Sequence, residues 1–293
     1  MRSGVRLEED RLACPWPADR QGGLVVIGVL ADGQKELIAL EDGYRESHES
    51  WAALLRDLKD RGMMAPVLAV GDGALGFWGA LAEVYASGRV AGYPETREQR
   101  CWVHKLANIL DKLPKRLQPR AKALLHEVML APTRASAKEA TQVFAREFEV
   151  RYPKAVAGLL DDQETLLSLY DFPAQHWIHL RTTNPIEPAP DRRTGSPFAT
   201  VKSRTSQTKG AGSRNAGLAL AFPGPTTRAG KLALAAEDHW RKLNASDLIP
   251  LVRAGVRFQD GLQIGVHPET TEAPIPVDLP MRIATFESAI HNI

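Results

Sequence analysis

The spacing of hydrophobic positions changes several times along this chain. Two β-branched runs, Leu24–Leu30 (LVVIGVL) and Glu36–Leu40 (ELIAL), flank Ala31-Asp32-Gly33-Gln34, and an Asp-Gly between two such runs predicts a hairpin. Over Glu46–Arg61, Trp51, Leu54, Leu55 and Leu58 recur at helical spacing with charges between them, and Gly62 follows as a C-cap. Pro66–Val70 (PVLAV) is a short apolar strand running into Gly71-Asp72-Gly73. Leu75–Tyr85 predicts a helix, Glu98–His104 a short strand, and the stretch from about Lys105 to Leu113 another helix. Hairpin, helix, buried strand, helix, strand, helix is the order of a mixed sheet flanked by helices.

From Gln118 to Tyr170 glycine almost disappears and helix formers dominate, which predicts an all-helical insertion after the sheet. Asp171–Glu187 (DFPAQHWIHLRTTNPIE) carries aromatics, two histidines and a Thr-Thr-Asn-Pro turn. The resulting division is an irregular segment 1–23, a core 24–117, a helical insertion 118–170, the end of the core with a basic segment 171–260, and a tail 261–293. The proline-containing stretch Glu269–Ile293 lacks periodicity and reads as loosely held.

Composition narrows the classes. Two cysteines, Cys14 and Cys101, imply no disulfide framework. The start, MRSGVRLEEDR, lacks the apolar core of a signal peptide. No apolar run approaches the roughly 18 to 20 residues of a membrane span, so a cytoplasmic protein is expected. A formal net charge of +2 says little, but Arg192–Lys231 holds eight Lys or Arg and no acidic residue. Lys202, Arg204, Lys209 and Arg214 stand there among Ser, Thr and Gly, a stretch that suits phosphate-backbone contact. The alternative for that stretch is a solvated basic segment.

Asp72 lies where a buried strand ends, the crevice side of an open α/β sheet, and its flanking glycines leave room for a metal or phosphate near the backbone. Gly-Asp-Gly is also an ordinary turn. Glu187 closes Arg181-Thr-Thr-Asn-Pro-Ile-Glu187, where Asn184-Pro185 resembles a helix start. Cys101 and His104 form a Cys-x-x-His pair, but a structural zinc site needs four ligands and no second cysteine pair exists. By spacing alone Cys101 is a small buried hydrophobe, His104 a polar strand-end residue, and His176 and His179 packing or surface residues.

Taken in order, KELIALEDGYRES, SWAALLRDLKDRG, APVLAVGDGALGFWGAL, YPETREQRCWVHKLANIL, APTRASA, FPAQHWIHLRTTNPIE, FATVKSRT and TKG closely resemble the catalytic part of Mutator-family transposases of bacterial insertion sequences, over roughly residues 24–260. The resemblance implies a ribonuclease H-like α/β fold with the helical insertion before the last catalytic acid. It implies an Asp-Asp-Glu triad binding Mg²⁺ or Mn²⁺, with Asp72 as the second aspartate and Glu187 as the glutamate. Cys101 and His104 match a motif that supports the site. DNA, as element ends and target, and a second copy of the chain are the implied partners. Three acids suit the chemistry, because two hard divalent ions held about 3.5–4 Å apart need carboxylate oxygens.

Departures from the family pattern accompany the match. Its first aspartate falls just before the text matched by GVRLEEDR, hence upstream of Met1, and neither Asp10 nor Asp19 replaces it. Residues 13–23, 86–92 and 188–197 read as inserted, and 222–231 stands where an apolar helix belongs. The expectation is a truncated, catalytically inactive transposase; the alternative is a non-catalytic DNA-binding or oligomerising remnant.

Overall fold

The computed structural model describes residues 21–44, 47–73, 75–86, 96–183, 240–264 and 283–289. Strands β1 (Gln21–Val29) and β2 (Lys35–Tyr44) form the hairpin. Gly33 at its tip has φ of +84°, the left-handed region that glycine enters without strain. A bulge at Val26/Ile27 shifts the register between them.

Helix α1 (His48–Asp60) starts where the Ser47 hydroxyl accepts the N–H of Ser50 and ends where Gly62 turns at φ +95°. The N–H groups of Gly62 and Met63 then donate to the carbonyls of Lys59 and Leu58, satisfying the last turn. Its apolar face, Trp51, Leu54, Leu55 and Leu58, is fully buried. It packs against α2 (Leu75–Ala86), with Trp51 edge-on to Phe77.

Strands β3 (Leu68–Gly71) and β4 (Arg97–Arg100) are parallel, and β3 is buried along its whole length, as an interior strand covered on both faces should be. Alternation divides it. Ala69 faces the cluster built on α1 and α2, whereas Leu68 and Val70 face a second cluster built on the helices that follow β4. Those are α3 (Trp102–Leu110), α4 (Gln118–Met129), α5 (Arg134–Phe148), α6 (Pro153–Leu160), α7 (Gln163–Leu166) and α8 (Trp177–Leu180). α5 opens with a reciprocal Thr133–Ser136 capping box.

In the C-terminal part, one strand departs from the sequence expectation. Trp240, Leu243, Ile249, Val252 and Phe258 are buried, two of them on the short helix α9 (Ile249–Arg253). β5 (Phe258–Gln259) and β6 (Leu262–Gln263) make a small hairpin whose Gly261 N–H donates to Tyr170 O. Strand β7 (Ile283–Ala289), inside the stretch expected to be a loose tail, enters the main sheet, whose order is β2-β1-β7-β3-β4. It runs antiparallel to β1 and parallel to β3. A seven-residue strand too short to show a clear period therefore holds the central position, where backbone pairing on both edges replaces side-chain pattern as the stabilising contribution.

Candidate active site

β3 ends at the end of the sheet, where Asp72 follows it and is partly buried. Both flanking glycines are required, though for a different reason from the one the sequence suggests. A Cβ on Gly71 would come within 2.8 Å of the Trp78 indole. Gly73 turns at φ +90°, and the place of its missing Cβ is taken by the Arg100 guanidinium. Protein side chains occupy the room that the sequence reading assigned to a metal or phosphate beside these two glycines.

β4 ends one residue before Cys101, so the pair Cys101/His104 does not lie on a strand. Cys101 is the N-cap of α3 and His104 sits in its first turn, on the same side of the helix because residues three apart are neighbours. Cys101 is fully buried and makes three kinds of contact. Its N–H donates to Gly71 O at 2.7 Å, tying it to the end of β3. Its Sγ accepts the Thr183 N–H at 3.4 Å and the Thr183 hydroxyl at 3.6 Å, and lies 3.7 Å from Thr182 Oγ1. The Trp102 N–H adds a bond to Arg181 O at 2.8 Å. The segment Arg181–Thr183 is thereby fastened to the end of β3.

Burial alone would push the Cys101 thiol up. The hydrogen bond and charge of His104 outweigh it and, with the Thr183 N–H, bring it down to about 6. The residue is more than a small buried hydrophobe: its sulfur is an acceptor at a helix N-terminus.

Glu187 and the four basic residues Lys202, Arg204, Lys209 and Arg214 lie outside the described residues. Thr183 is the last described residue before Glu187. Among the described residues no group of three or more His, Cys, Asp or Glu is placed to hold a metal ion. His176 is buried, with Nε2 3.2 Å from Ala245 O, and His179 lies between Lys35 Nζ and the Asn244 N–H that donates to it. Both histidines pack the C-terminal part against the body of the fold.

Two features of this region carry no signal at the level of spacing. Gln99, fully buried on β4, donates to Leu166 O at 3.1 Å and accepts the Leu169 N–H at 2.8 Å. It and Trp102, whose indole N–H also donates to Leu166 O at 3.1 Å, clamp the α7 region against the strand. Asp162, between α6 and α7, takes both Lys105 (2.6 Å) and Arg100 (3.2 Å) on one oxygen. Gln99, Arg100, Lys105 and Asp162 are separated in sequence by up to 63 positions (162 − 99), so only the fold assembles them.

Comparison with known proteins places this arrangement. Residues 20–192 match the model of the family described as "Transposase, Mutator family". The chain is 49% identical over 94% of its length to the transposase for insertion sequence element IS6120 of Mycolicibacterium smegmatis, covering 75% of that protein. It is also 49% identical over 82% of its length to the transposase for element IST2 of Acidithiobacillus ferrooxidans, covering 73% of it. The transposase for element ISRM5 of Rhizobium meliloti is 32% identical over 57% of the chain and 40% of its own length. With the match running through the Asp72 strand, the Cys101–His104 helix start and the segment that leads to Glu187, the chain belongs to the Mutator family of transposases.

Proposed function

We propose that this transposase acts on DNA through a divalent-metal site built on Asp72 and Glu187, with Cys101 and His104 as positioning residues. The observation that carries the reading is the Cys101 bridge. One residue binds the end of β3, next to Asp72, and Thr183, four residues before Glu187. Four residues span at most about 14 Å, the reach open to Glu187 from Thr183.

The donor set fits a hard ion. Asp72 and Glu187 offer carboxylate oxygens, as Mg²⁺ and Mn²⁺ prefer, while the Cys101 sulfur is engaged by Thr183 and His104. Bound there, such ions supply activation of an attacking water or 3′-hydroxyl and stabilise the leaving oxygen. The residues of the chain do the rest. In this reading Asp72 and Glu187 supply the carboxylates and Cys101 anchors the Thr183 end of the segment that leads to Glu187; about 1 Å of misplacement in such a site costs ~100-fold in rate. The reading includes a ribonuclease H-like fold, supported by a mixed sheet with helices on both faces and the acid at the end of an interior strand. It includes DNA contacts from Lys202, Arg204, Lys209 and Arg214, assembly with a second copy, and action in the cytoplasm; no helix among the described residues is long and apolar enough to cross a membrane.

The test is metal-dependent cleavage and joining of DNA carrying the element's ends, with Mn²⁺ binding followed separately by electron paramagnetic resonance. D72N and E187Q should each weaken Mn²⁺ binding, and unchanged Mn²⁺ binding in both would end the metal reading; the joining assay on the unaltered chain checks the expectation that it is inactive.

A further inference from the structure

We propose that Arg100 binds a phosphodiester of the DNA beside Asp72. The inference deepens the metal-site reading above and rests on it for the identity of the substrate. Arg100 is the last residue of β4 and pairs in register with Gly71, so its side chain leaves the sheet at the same end as Asp72. The guanidinium divides its work. Nε is 3.2 Å from Asp162 Oδ2, whereas Nη1 and Nη2 lie over Gly73, the residue after Asp72. The absence of a side chain at position 73 is what lets the fork reach that place.

Charge is unbalanced at this spot. Lys105 Nζ, its side chain only 8% exposed, takes the same Asp162 oxygen at 2.6 Å. Among the described residues Asp162 is the ion-pair partner of both cations, and one carboxylate neutralises one of them. The shorter contact goes to the more buried lysine, so the excess positive charge resides mainly on Arg100, whose side chain is 17% exposed. Shielding a surplus cation from water is costly unless an anion arrives. Asp72 is the chain neighbour of Gly73, over which the guanidinium lies, but a carboxylate committed to a divalent ion has less charge left for the guanidinium. A phosphodiester meets both demands, because a planar fork with paired N–H donors matches two phosphate oxygens in a way an ammonium does not. Asp162 then acts as a positioning residue through its charge contact with Nε, which keeps the two Nη groups presented.

A purely structural tie between β4 and the α6–α7 junction makes different predictions, and salt dependence separates the two. Each neutralised phosphate contributes about 0.9 to the slope of log affinity against log salt on duplex DNA. Binding of a fluorescein-labelled duplex of mixed sequence to the 293-residue chain is measured across a sodium chloride series for wild type, R100Q, R100K and D162N. R100Q should flatten the slope by about one, and D162N should leave it unchanged. R100K, which keeps the charge and the fold but not the fork, should keep the slope and bind several-fold more weakly. A wild-type slope in R100Q, or wild-type affinity in R100K, overturns the proposal; so does a fall in melting temperature equal to that of D162N without any change in slope. Mn²⁺ binding keeps the two readings apart: D72N should lower it and R100Q should not. If D72N leaves Mn²⁺ binding unchanged, the metal reading fails while the slopes still decide the role of Arg100.

Discussion

The Sγ of Cys101 accepts the backbone N–H of Thr183 at 3.4 Å, while the N–H of Cys101 donates to Gly71 O at 2.7 Å. Two stretches more than a hundred residues apart are thus joined through one residue, by its backbone on one side and its sulfur on the other, and each leads into one of the acids assigned to the metal site. The sulfur suits this position because a thiolate accepts at longer range than oxygen and is favoured at a helix N-terminus.

The first prediction concerns that thiolate. With the thiol brought down from 9.0 to about 6, thiolate absorbance in a C14S background should titrate with a midpoint near 6 and vanish in C101S. A depressed folded value means the ionised form stabilises the fold: its contribution is complete above pH 9 and is lost as pH falls through about 6. The urea midpoint of wild type should therefore rise from pH 6 toward 9 more steeply than that of C101S. A titration midpoint near 9 would show that His104 does not act on the sulfur.

Gln99 tests the joint between β4 and the helices. In Q99A the buried Leu169 N–H loses its acceptor, whereas Leu166 O keeps the Trp102 indole. A stranded buried donor costs roughly 1–3 kcal/mol, with a further loss for the cavity, and chemical denaturation should register at least that amount. Q99E, which retains the acceptor but introduces a buried charge, should be no more stable than Q99A. Wild-type stability in both would mean that the clamp is replaced by water.

His176 supplies a pH dependence of the opposite chemical type. Burial holds the imidazole below its ordinary value of 6.5, against the raising effect of the Ala245 carbonyl and Asp247. The neutral ring is the one the fold accepts, so its contribution is fully present above pH 6.5 and is lost as pH falls below it. The melting temperature should drop as pH falls below 6.5 in wild type, and drop less in H176Q. Parallel curves for the two proteins would remove His176 as the cause.

Strand β7 predicts the largest change. Ending the chain at residue 282 leaves the facing edges of β1 and β3 without their shared partner, and unpaired interior edges invite association with other strands. The truncated protein should lose its cooperative transition and aggregate, and a synthetic peptide of residues 281–290 should restore a monomeric, cooperative fold. A truncated chain that melts like wild type would show that the sheet closes without β7.

For the basic stretch, replacing Lys202, Arg204, Lys209 and Arg214 together by alanine should flatten the log–log salt dependence of DNA binding by about 3 to 4 units. An unchanged slope would make it a solvated segment.

Local pattern sufficed wherever a segment's own side chains decide its structure. The Asp-Gly hairpin, the Trp51–Leu58 face of α1 with Gly62 behind it, and the buried apolar strand before Asp72 all follow from period, turn chemistry and length. The ordered fragments also sufficed to identify the Mutator family, because many short matches in one order are harder to produce by chance than any single motif. Tertiary structure alone decided that Cys101 caps a helix and grips Thr183, that Arg100 lies over Gly73, and that Gln99 clamps Leu166. It alone brought Ile283–Ala289 to the middle of the sheet. These are contacts between residues distant in sequence, made by single polar side chains or by backbone edges, and neither leaves a periodic trace: a hydrogen bond needs one donor and one acceptor in the right place, and only the packed chain determines which residues those are.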